Sequence, residues 1–478
     1  MPTTTSSDRA PTPLDRLLRL VGDVRPGEGS KATILGTSLF LLLAAYYLLK
    51  VVRESLILSS YDAEVKVYVA AGQAVLLIPA VMGFGWLSQR VGRFRLVVSS
   101  TLFFAANLVI FAALYAAGVP IELPFYVWVG IFNVFVISQL WAFATDVYSE
   151  KDGKRLFAVI GLGASLGAIA GAYAAEPVGD AIGTFGIFGL ALALLLSTLV
   201  GSWWVHQHPD GHADGAREEK PEREKPAAEG GKNALAMVLS DRYFVLIAVL
   251  LVLLNCENTL GEFLLDRVMQ EDLTERLGAS VSADTLENEV RAFKSIYFGA
   301  FNTLGFLIQL FVTGRLMSRK GAGFAIVVLP VVALVGQLGA FASGLALMAL
   351  ASAKVAENSV DYSLNGTAKN ALFLVVPREA KYKVKVFLDT VVVRFGDVIA
   401  GVLVIGAMAA GVGTFGFLAI STVVTVLWLA VAWTLRREHA HRAQAPQSEQ
   451  AGSASHEGEG TSGPKRATSA RALVEAQT

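Results

Sequence analysis

The sequence predicts an all-α integral membrane protein of twelve transmembrane helices, arranged as two six-helix pseudo-repeats. The first observation is composition: 54% of the residues are hydrophobic, only 17% are charged, and the mean hydropathy is +0.53. The second is a series of twelve apolar runs, each near the length of about 20 residues that a bilayer requires. The third is a set of loop residues that recurs in the second half. A soluble enzyme is excluded, because it would have to bury all of these runs.

The apolar runs divide six and six around a polar segment. We place helices at 33–58, 65–88, 96–117, 124–147, 156–176 and 183–205, and then at 241–265, 294–317, 323–342, 345–371, 384–409 and 413–435. The two halves are therefore 33–205 and 241–435. The segment between them, 206–240, is charged and rich in Gly, Pro and Glu, which predicts a cytoplasmic linker without order of its own.

The ends of the chain differ from this core. Residues 1–32 lack an uninterrupted apolar core before a small-residue cleavage site, so they predict a cytoplasmic N-terminal arm and not a signal peptide. Residues 436–478 have the composition of a disordered cytoplasmic tail. Neither end adds a further span.

Lys and Arg residues predict the orientation. They gather in the short loops after the second, fourth, eighth and tenth helices, at Arg90, Arg93, Arg95, Lys151, Lys154, Arg155, Arg315, Arg319, Lys320, Arg378, Lys381, Lys383 and Lys385. Such loops face the cytoplasm. The opposite loops carry acids, above all 266–293. We therefore expect a protein of the cytoplasmic (inner) membrane with both termini inside.

The two halves repeat at an offset of 229 residues. This shift carries Gly85, Leu87, Arg90 and Gly92 onto Gly314, Leu316, Arg319 and Gly321, and Glu150, Lys154 and Gly167 onto Glu379, Lys383 and Gly396. Because the same offset of 229 residues aligns two separate loops, the two halves are predicted to have the same topology. In that plan a substrate binds between the halves near the middle of the membrane, and access alternates as they rock.

Charged residues inside the predicted helices are candidates for this pathway, because a charge in hydrocarbon costs at least a few kcal/mol. In the tenth helix Lys354, Glu357, Asp361 and Asn365 are three or four residues apart and share one face, and Lys369 follows. This face is expected to look inward.

The first and seventh helices supply the other candidates. Lys50, Arg53 and Glu54 lie in the first helix, where Lys50 and Glu54 are at a spacing that also permits a simple pair. The guanidinium of Arg53 suits capture of phosphate or carboxylate and needs an anionic partner if buried. The seventh helix offers Asn255 and Glu257.

Several other patterns have structural explanations. The run GLGASLGAIAG at 161–171 lies in an apolar helix and follows no strand, so its small residues predict close helix packing and not a dinucleotide loop. His206, His208 and His212 lie in the linker without a metal-site context, and Cys256 sits in an apolar run. We expect no enzyme activity, no cofactor and no metal.

One loop resembles a known signature. GWLSQRVGRFR at 85–95 is similar to the loop after the second helix of the major facilitator superfamily, with Gln89 where that signature has Asp, and GRLMSRKGAG at 314–323 is its degenerate copy. The resemblance implies the major facilitator fold, with Arg90 and Arg93 pairing with carbonyl ends or acids on neighbouring helices.

A second resemblance is narrower. The stretch 361–397 resembles the non-mitochondrial ATP/ADP translocase (nucleotide transporter) family, through Tyr362, Ser363, Thr367, Lys369, Ala371, Pro377, Glu379, Lys381, Lys383, Lys385, Asp389 and Arg394. VRESLIL at 52–58 and KRLFAVIGLGASLGAIAG at 154–171 are similar to two further segments of that family. The chain departs from it at Ser165, where Asn is usual, and at Glu262, near a usual Lys.

The resemblance implies transport of nucleotides or related phosphorylated anions by exchange. From it and from the charges we expect a substrate site made of Lys50, Arg53, Asn255, Lys354, Asp361 and Lys369, and gating or coupling by Glu54, Arg90, Glu257, Glu357, Asp389 and Arg394. One alternative is an exporter or lipid-handling facilitator, with a mainly apolar cavity and Arg53 neutralised by Glu54 or Glu257. A proton-coupled transporter of another solute or lipid, and a non-transporting membrane scaffold or sensor of the same fold, are further alternatives. The expected partners are the small anionic substrate and the lipid bilayer, without nucleic acid, for a monomer.

Overall fold

The computed structural model describes residues 24–25, 28–148, 150–208, 227–278, 281–376 and 378–457, together with Pro13. Most of the predicted N-terminal arm, residues 209–226 of the linker and residues 458–478 of the tail lie outside the described residues, as does Pro377. The predictions for those segments stay predictions.

The described part of the chain is helical, without a strand. We label the long helices α1 to α12 in chain order. They are Gly29–Ser60, Ala63–Ser88, Arg93–Ala116, Glu122–Val147, 150–182, 184–207, Arg242–Leu277, Ala283–Lys320, Ala322–Ala342, 347–375, 378–409 and Thr414–Glu457. A shorter helix, Ala227–Ser240, precedes α7. One turn of π-helix interrupts each of α4, α8, α10 and α11.

Ten helical stretches in the described residues are long and apolar enough to cross a membrane. One of them, Arg155–Gln207, contains both α5 and α6, which are separated at Gly183, where φ is 68°. The helix α10 is not among the ten and carries the buried charges Lys354 and Glu357. The predicted all-α membrane fold is confirmed, and the helices are consistent with twelve spans.

Several helices are longer than the sequence predicted. The helix α7 continues to Leu277, and α8 already begins at Ala283, so most of the predicted 266–293 loop is helical. This extension places Asp266 inside a helix. At the end of the chain, α12 runs through Glu457 in place of the predicted end at 435.

The helices α1 and α5 lie unusually close together. A Cβ atom on Gly163 or Gly167 would approach the backbone oxygen of Gly36 or Phe40 to within 2.1 or 2.2 Å, respectively. Only glycine permits this approach, since no backbone atom can move aside. The packing explanation of the glycine-rich run agrees with this geometry.

The two halves meet at the end of the bundle that carries the acidic loops. Gln270 of α7 donates hydrogen bonds to the carbonyl oxygens of Leu58 and Tyr61, at 2.8 and 2.9 Å, and accepts one from the Ala63 N–H. Beside it, Arg291 of α8 pairs with Asp180 at 3.2 Å. This end is therefore closed in the structure.

Candidate functional site

A cavity of about 180 Å³ lies between the halves. Helices α1, α2 and α4 line it from one half, and α7, α8 and α10 from the other. Its walls contain Lys50, Arg53, Glu54, Lys66, Val67, Ala70, Tyr126, Asn258, Thr259, Glu262, Phe263, Asp266, Phe298, Phe301, Asn358 and Tyr362. A cavity at this place is the arrangement that the repeat in the sequence predicted.

Lys50 is the cation in this wall without a carboxylate partner among the described residues. Its ammonium lies 4.3 Å from the centre of the Phe298 ring and 5.3 Å from that of Tyr47. The simple Lys50–Glu54 pair is not formed, since Glu54 pairs with Arg53 and Lys66. Lys50 is thus held by aromatic faces, with its charge available to an anion.

Arg53 also faces the cavity, but its charge is matched. Its guanidinium donates to the Glu54 carboxylate and lies 4.2 Å from the centre of the Tyr126 ring. Pairing by Glu54 meets one expectation of the exporter alternative. The other expectation, a mainly apolar wall, does not fit a wall that contains six charged side chains.

A chain of ion pairs joins the halves beside Arg53. Lys66 of α2 lies 2.5 Å from Glu54 of its own half and 2.5 Å from Asp266 of α7, and Asp266 also accepts from Lys294 of α8. All four side chains are at least nine-tenths buried. Because buried charges are stable only when they are paired, this row of ion pairs stabilises the closed end.

The opposite wall combines a carboxylate with aromatic rings. Glu262 accepts hydrogen bonds from the Tyr297 hydroxyl at 2.6 Å and from Asn358 at 3.0 Å. Farther along this wall, the rings of Phe301 and Tyr362 stack with their centres 5.5 Å apart. Flat apolar surfaces next to a free cation suit a molecule that has both a ring and an anionic group.

A second buried cluster lies next to the cavity. Lys354 of α10 donates to Glu357 at 2.7 Å and lies 3.5 Å from Asn258 in the cavity wall. Gln337 of α9 donates to Glu257 at 3.1 Å. Lys354, Glu357 and Glu257 therefore lie together behind the wall, so Lys354, which we expected in the substrate site, does not line the cavity.

The other predicted site residues lie elsewhere. Asn255 donates to the Leu251 carbonyl and packs against Gly396. Asp361 is bonded to Asn365 at 2.6 Å and pairs with Lys369 at 3.5 Å, away from the cavity wall.

The remaining gating candidates are at the basic-loop end or on α11. They make local contacts: Arg90 on the Trp86 ring, Asp389 with Lys385, and Arg394 with Asp397. Arg93 pairs with Asp146 at 2.7 Å, which joins the start of α3 to the end of α4. The side chains of Glu379 and Lys381 lie outside the described residues.

Sequence reasoning missed Lys66, Asp266 and Lys294. Each stood within a few residues of a predicted helix end, where a charge reaches water and requires no partner. The signal that was available for Asp266 is the continued apolar spacing of LLDRVM at 264–269, which extends the helix past the predicted end. Among the described residues no group of His, Cys, Asp and Glu is arranged to hold a metal ion.

Two six-helix halves around a charged, partly aromatic cavity define a membrane transporter. A model of the Major Facilitator Superfamily matches residues 32–365. The chain belongs to that superfamily, and it is a transporter and not an enzyme.

Individual relatives are distant. The chain is 22% identical over 344 residues to ADP,ATP carrier protein 1 of Chlamydia muridarum, a match that covers 64% of this chain and 62% of that protein. It is 23% identical over 365 residues to the protein of the same name from Chlamydia trachomatis serovar D, covering 71% and 69%. The first match thus spans less than two thirds of the relative's length.

Solved structures share the fold. The nucleoside transporter NupG superposes with a TM-score of 0.57 at 13% identity, covering 87% of this chain and 99% of that one. A bacterial homologue of the human lysosomal transporter Spinster, in an inward-facing and unoccupied conformation, gives 0.56 at 14% identity, covering 87% and 99%. At these identities the likeness concerns the fold alone.

Proposed function

We propose that this protein exchanges nucleotides or related phosphorylated anions across the cytoplasmic membrane by alternating access. The observation that carries the proposal is Lys50, a cation in the wall of the cavity without a carboxylate partner among the described residues. Its free charge attracts an anion, and the rings of Phe298, Phe301 and Tyr362 offer surfaces for a base. The likeness to ADP,ATP carriers of Chlamydia supports the same substrate class.

The charges of the wall favour a modestly charged anion. Lys50, Arg53 and Lys66 stand against Glu54, Glu262 and Asp266, and Lys294 behind the wall adds one further cation to the Asp266 pair. The wall thus offers roughly one uncompensated positive charge. Because Glu262 would repel a triphosphate, we expect a nucleoside monophosphate or diphosphate to bind more tightly than ATP.

The closed acidic-loop end fits one state of the cycle. If the basic loops face the cytoplasm, as the positive-inside rule predicts, the structure corresponds to a state closed toward the outside. The Lys66–Asp266 pair would then have to separate when the halves rock the other way, while Lys66 and Arg53 stay paired with Glu54.

The test is uptake of labelled ADP into proteoliposomes that are preloaded with unlabelled ADP, AMP or ATP. The Lys50→Gln variant should lose about 10- to 100-fold in apparent affinity, since a hydrogen bond to a charged group contributes about 1.5–3 kcal/mol. Lys320→Gln is the matched control, because Lys320 is an exposed lysine at the end of α8.

Two results would overturn the proposal. One is correctly inserted wild-type protein that shows no uptake dependent on internal nucleotide. The other is an equal effect of the Lys50 and Lys320 substitutions. Uptake of an uncharged solute or a lipid by the same vesicles would instead support the exporter alternative.

A further inference from the structure

The cluster of Glu257, Glu357 and Lys354 contains one more negative charge than it can balance if both acids are ionised. Glu257 is 1% exposed, Glu357 6% and Lys354 3%. Two carboxylates in a low-dielectric interior with one ammonium leave one charge without compensation, a costly arrangement.

The hydrogen bonds show which atom lacks a donor. Oε1 of Glu257 accepts from Gln337 at 3.1 Å and lies 3.5 Å from the Ser421 hydroxyl. Oε2 of Glu257 is buried and receives no hydrogen bond from any donor that the described residues provide. The Glu357 carboxyl lies within hydrogen-bonding reach of Glu257. A proton on one of the two acids would supply the missing bond.

In the part of the chain that the structure describes, no second cation pairs with either acid. From α9 and α12 the neighbours are Gln337, Ser421 and Thr425, which are neutral. From α11, Asp397 is already paired with Arg394 at 3.4 Å and accepts from Thr259. From α7, Glu262 adds a further acid near Lys354 and is satisfied by Tyr297 and Asn358.

Lys354 links this cluster to the cavity. Its ammonium lies 2.7 Å from Glu357 and 3.5 Å from the Oδ1 atom of Asn258, which is in the cavity wall. It also passes over Gly261, where a Cβ atom would come within 2.8 Å of Nζ. The ammonium therefore lies between the acids and the cavity wall.

We propose that Glu257 and Glu357 form a proton-binding site that shares one proton, and that this proton travels with the anion. The second part rests on the proposed function. With the pair protonated, Lys354 is less strongly held and turns past Asn258 to add a second cation beside the anion. With the pair deprotonated, Lys354 returns to it. Anion and proton therefore favour each other's binding, and both are released on the same side.

The first test measures the proton site without transport. Infrared spectra of the reconstituted full chain are recorded across the neutral pH range, following the carbonyl stretch of a protonated carboxylic acid. Wild type should show such a band, and both Glu257→Gln and Glu357→Gln should lose it. Glu275→Gln, an exposed acid on the same helix, should keep it. Wild type without a titrating band, or a band that survives in both variants, overturns the site.

The second test measures coupling. Saturating ADP should tighten proton binding, followed by the same band, about tenfold, within the usual range for coupled sites. In proteoliposomes preloaded with ADP, the half-saturating external ADP concentration should rise about tenfold as the external pH is raised through the titration of the band in wild type, and should not change with pH in Glu357→Gln. ADP exchange in wild type whose half-saturating concentration does not change with pH overturns the coupling. If ADP is not transported while the band titrates, the proposed function fails with the coupling and the proton site stands.

Discussion

Lys66 and Asp266 form an ion pair between the two halves of the transporter, with Nζ and Oδ2 2.5 Å apart. The pair is buried, and each partner has a second counter-ion within its own half, Glu54 for Lys66 and Lys294 for Asp266. Separation of the halves therefore leaves no charge alone. This double pairing is what a gate requires if it is to open at modest cost.

Removal of Lys66 should favour the state that is open at the acidic-loop end. In Lys66→Met, Glu54 remains paired with Arg53 and Asp266 remains paired with Lys294, so the fold is retained while one buried ion pair between the halves is lost. A cysteine placed at Ala175, which is buried in α5 in the closed state, should react several-fold faster with a membrane-impermeant maleimide. Lys66→Arg is the control that keeps the charge. Equal labelling rates in Lys66→Met and Lys66→Arg would show that the Lys66–Asp266 pair does not act as a gate.

The aromatic support of Lys50 should contribute to affinity. Phe298→Leu removes the ring that lies 4.3 Å from the ammonium, and a cation–π contact of this kind contributes about 0.5–2 kcal/mol. We expect the half-saturating ADP concentration to rise about 2- to 30-fold. Phe298→Tyr keeps the ring face and should stay near the wild-type value. A similar rise in both variants would point to packing as the cause.

Close packing of α1 on α5 should be sensitive to one methyl group. In Gly167→Ala the new Cβ would lie 2.2 Å from the Phe40 carbonyl oxygen, and the backbone must shift. Overpacking of this kind destabilises by about 1–3 kcal/mol, so thermal unfolding in detergent should occur at a lower temperature. Gly189→Ala in α6, where a Cβ meets nothing within 4 Å, is the matched control and should be neutral or slightly stabilising.

The extension of α12 should remain docked across the physiological pH range. Arg442 donates to both carboxylate oxygens of Asp241, at 2.6 and 3.1 Å, just before α7 begins. Burial raises the pKa of Asp241, but the hydrogen bonds from Arg442 and from the Tyr243 N–H outweigh it and the pKa is lowered. The stabilisation is thus present above the usual Asp pKa of about 3.9 and is lost as the pH falls through the lowered value.

Hydrogen exchange of the α12 extension provides the measurement. Asp241→Asn should accelerate exchange of the amides near Arg442 at neutral pH, and in wild type the same acceleration should appear only on strong acidification. Asp272→Asn, which changes a partly exposed acid at the other end of α7, should leave these amides unaffected. Acceleration at mildly acidic pH in wild type would contradict the role of Asp241.

Sequence patterns predicted the helices well because bilayer length and hydropathy act locally. The errors are at polar helix ends. Hydropathy falls at Asp266, so the helix was predicted to end there, but the ion pairs of Asp266 with Lys66 and Lys294 stabilise the continuation of α7. Lys66 and Lys294 were missed for the same reason. A charge near the end of a span has two explanations, and only its neighbours distinguish them.

The sequence by itself determined the membrane class, the two-fold repeat and the presence of buried charges on α1, α7 and α10, because length, hydropathy and periodicity are properties of each segment. Only the tertiary structure decided how those charges are shared. Arg53, which we expected to bind the anion, is paired with Glu54, while Lys50 lies against Phe298. Pairing depends on distances of a few ångströms between helices that are far apart in the chain, since electrostatic energy in a dry interior falls steeply with separation and solvent access.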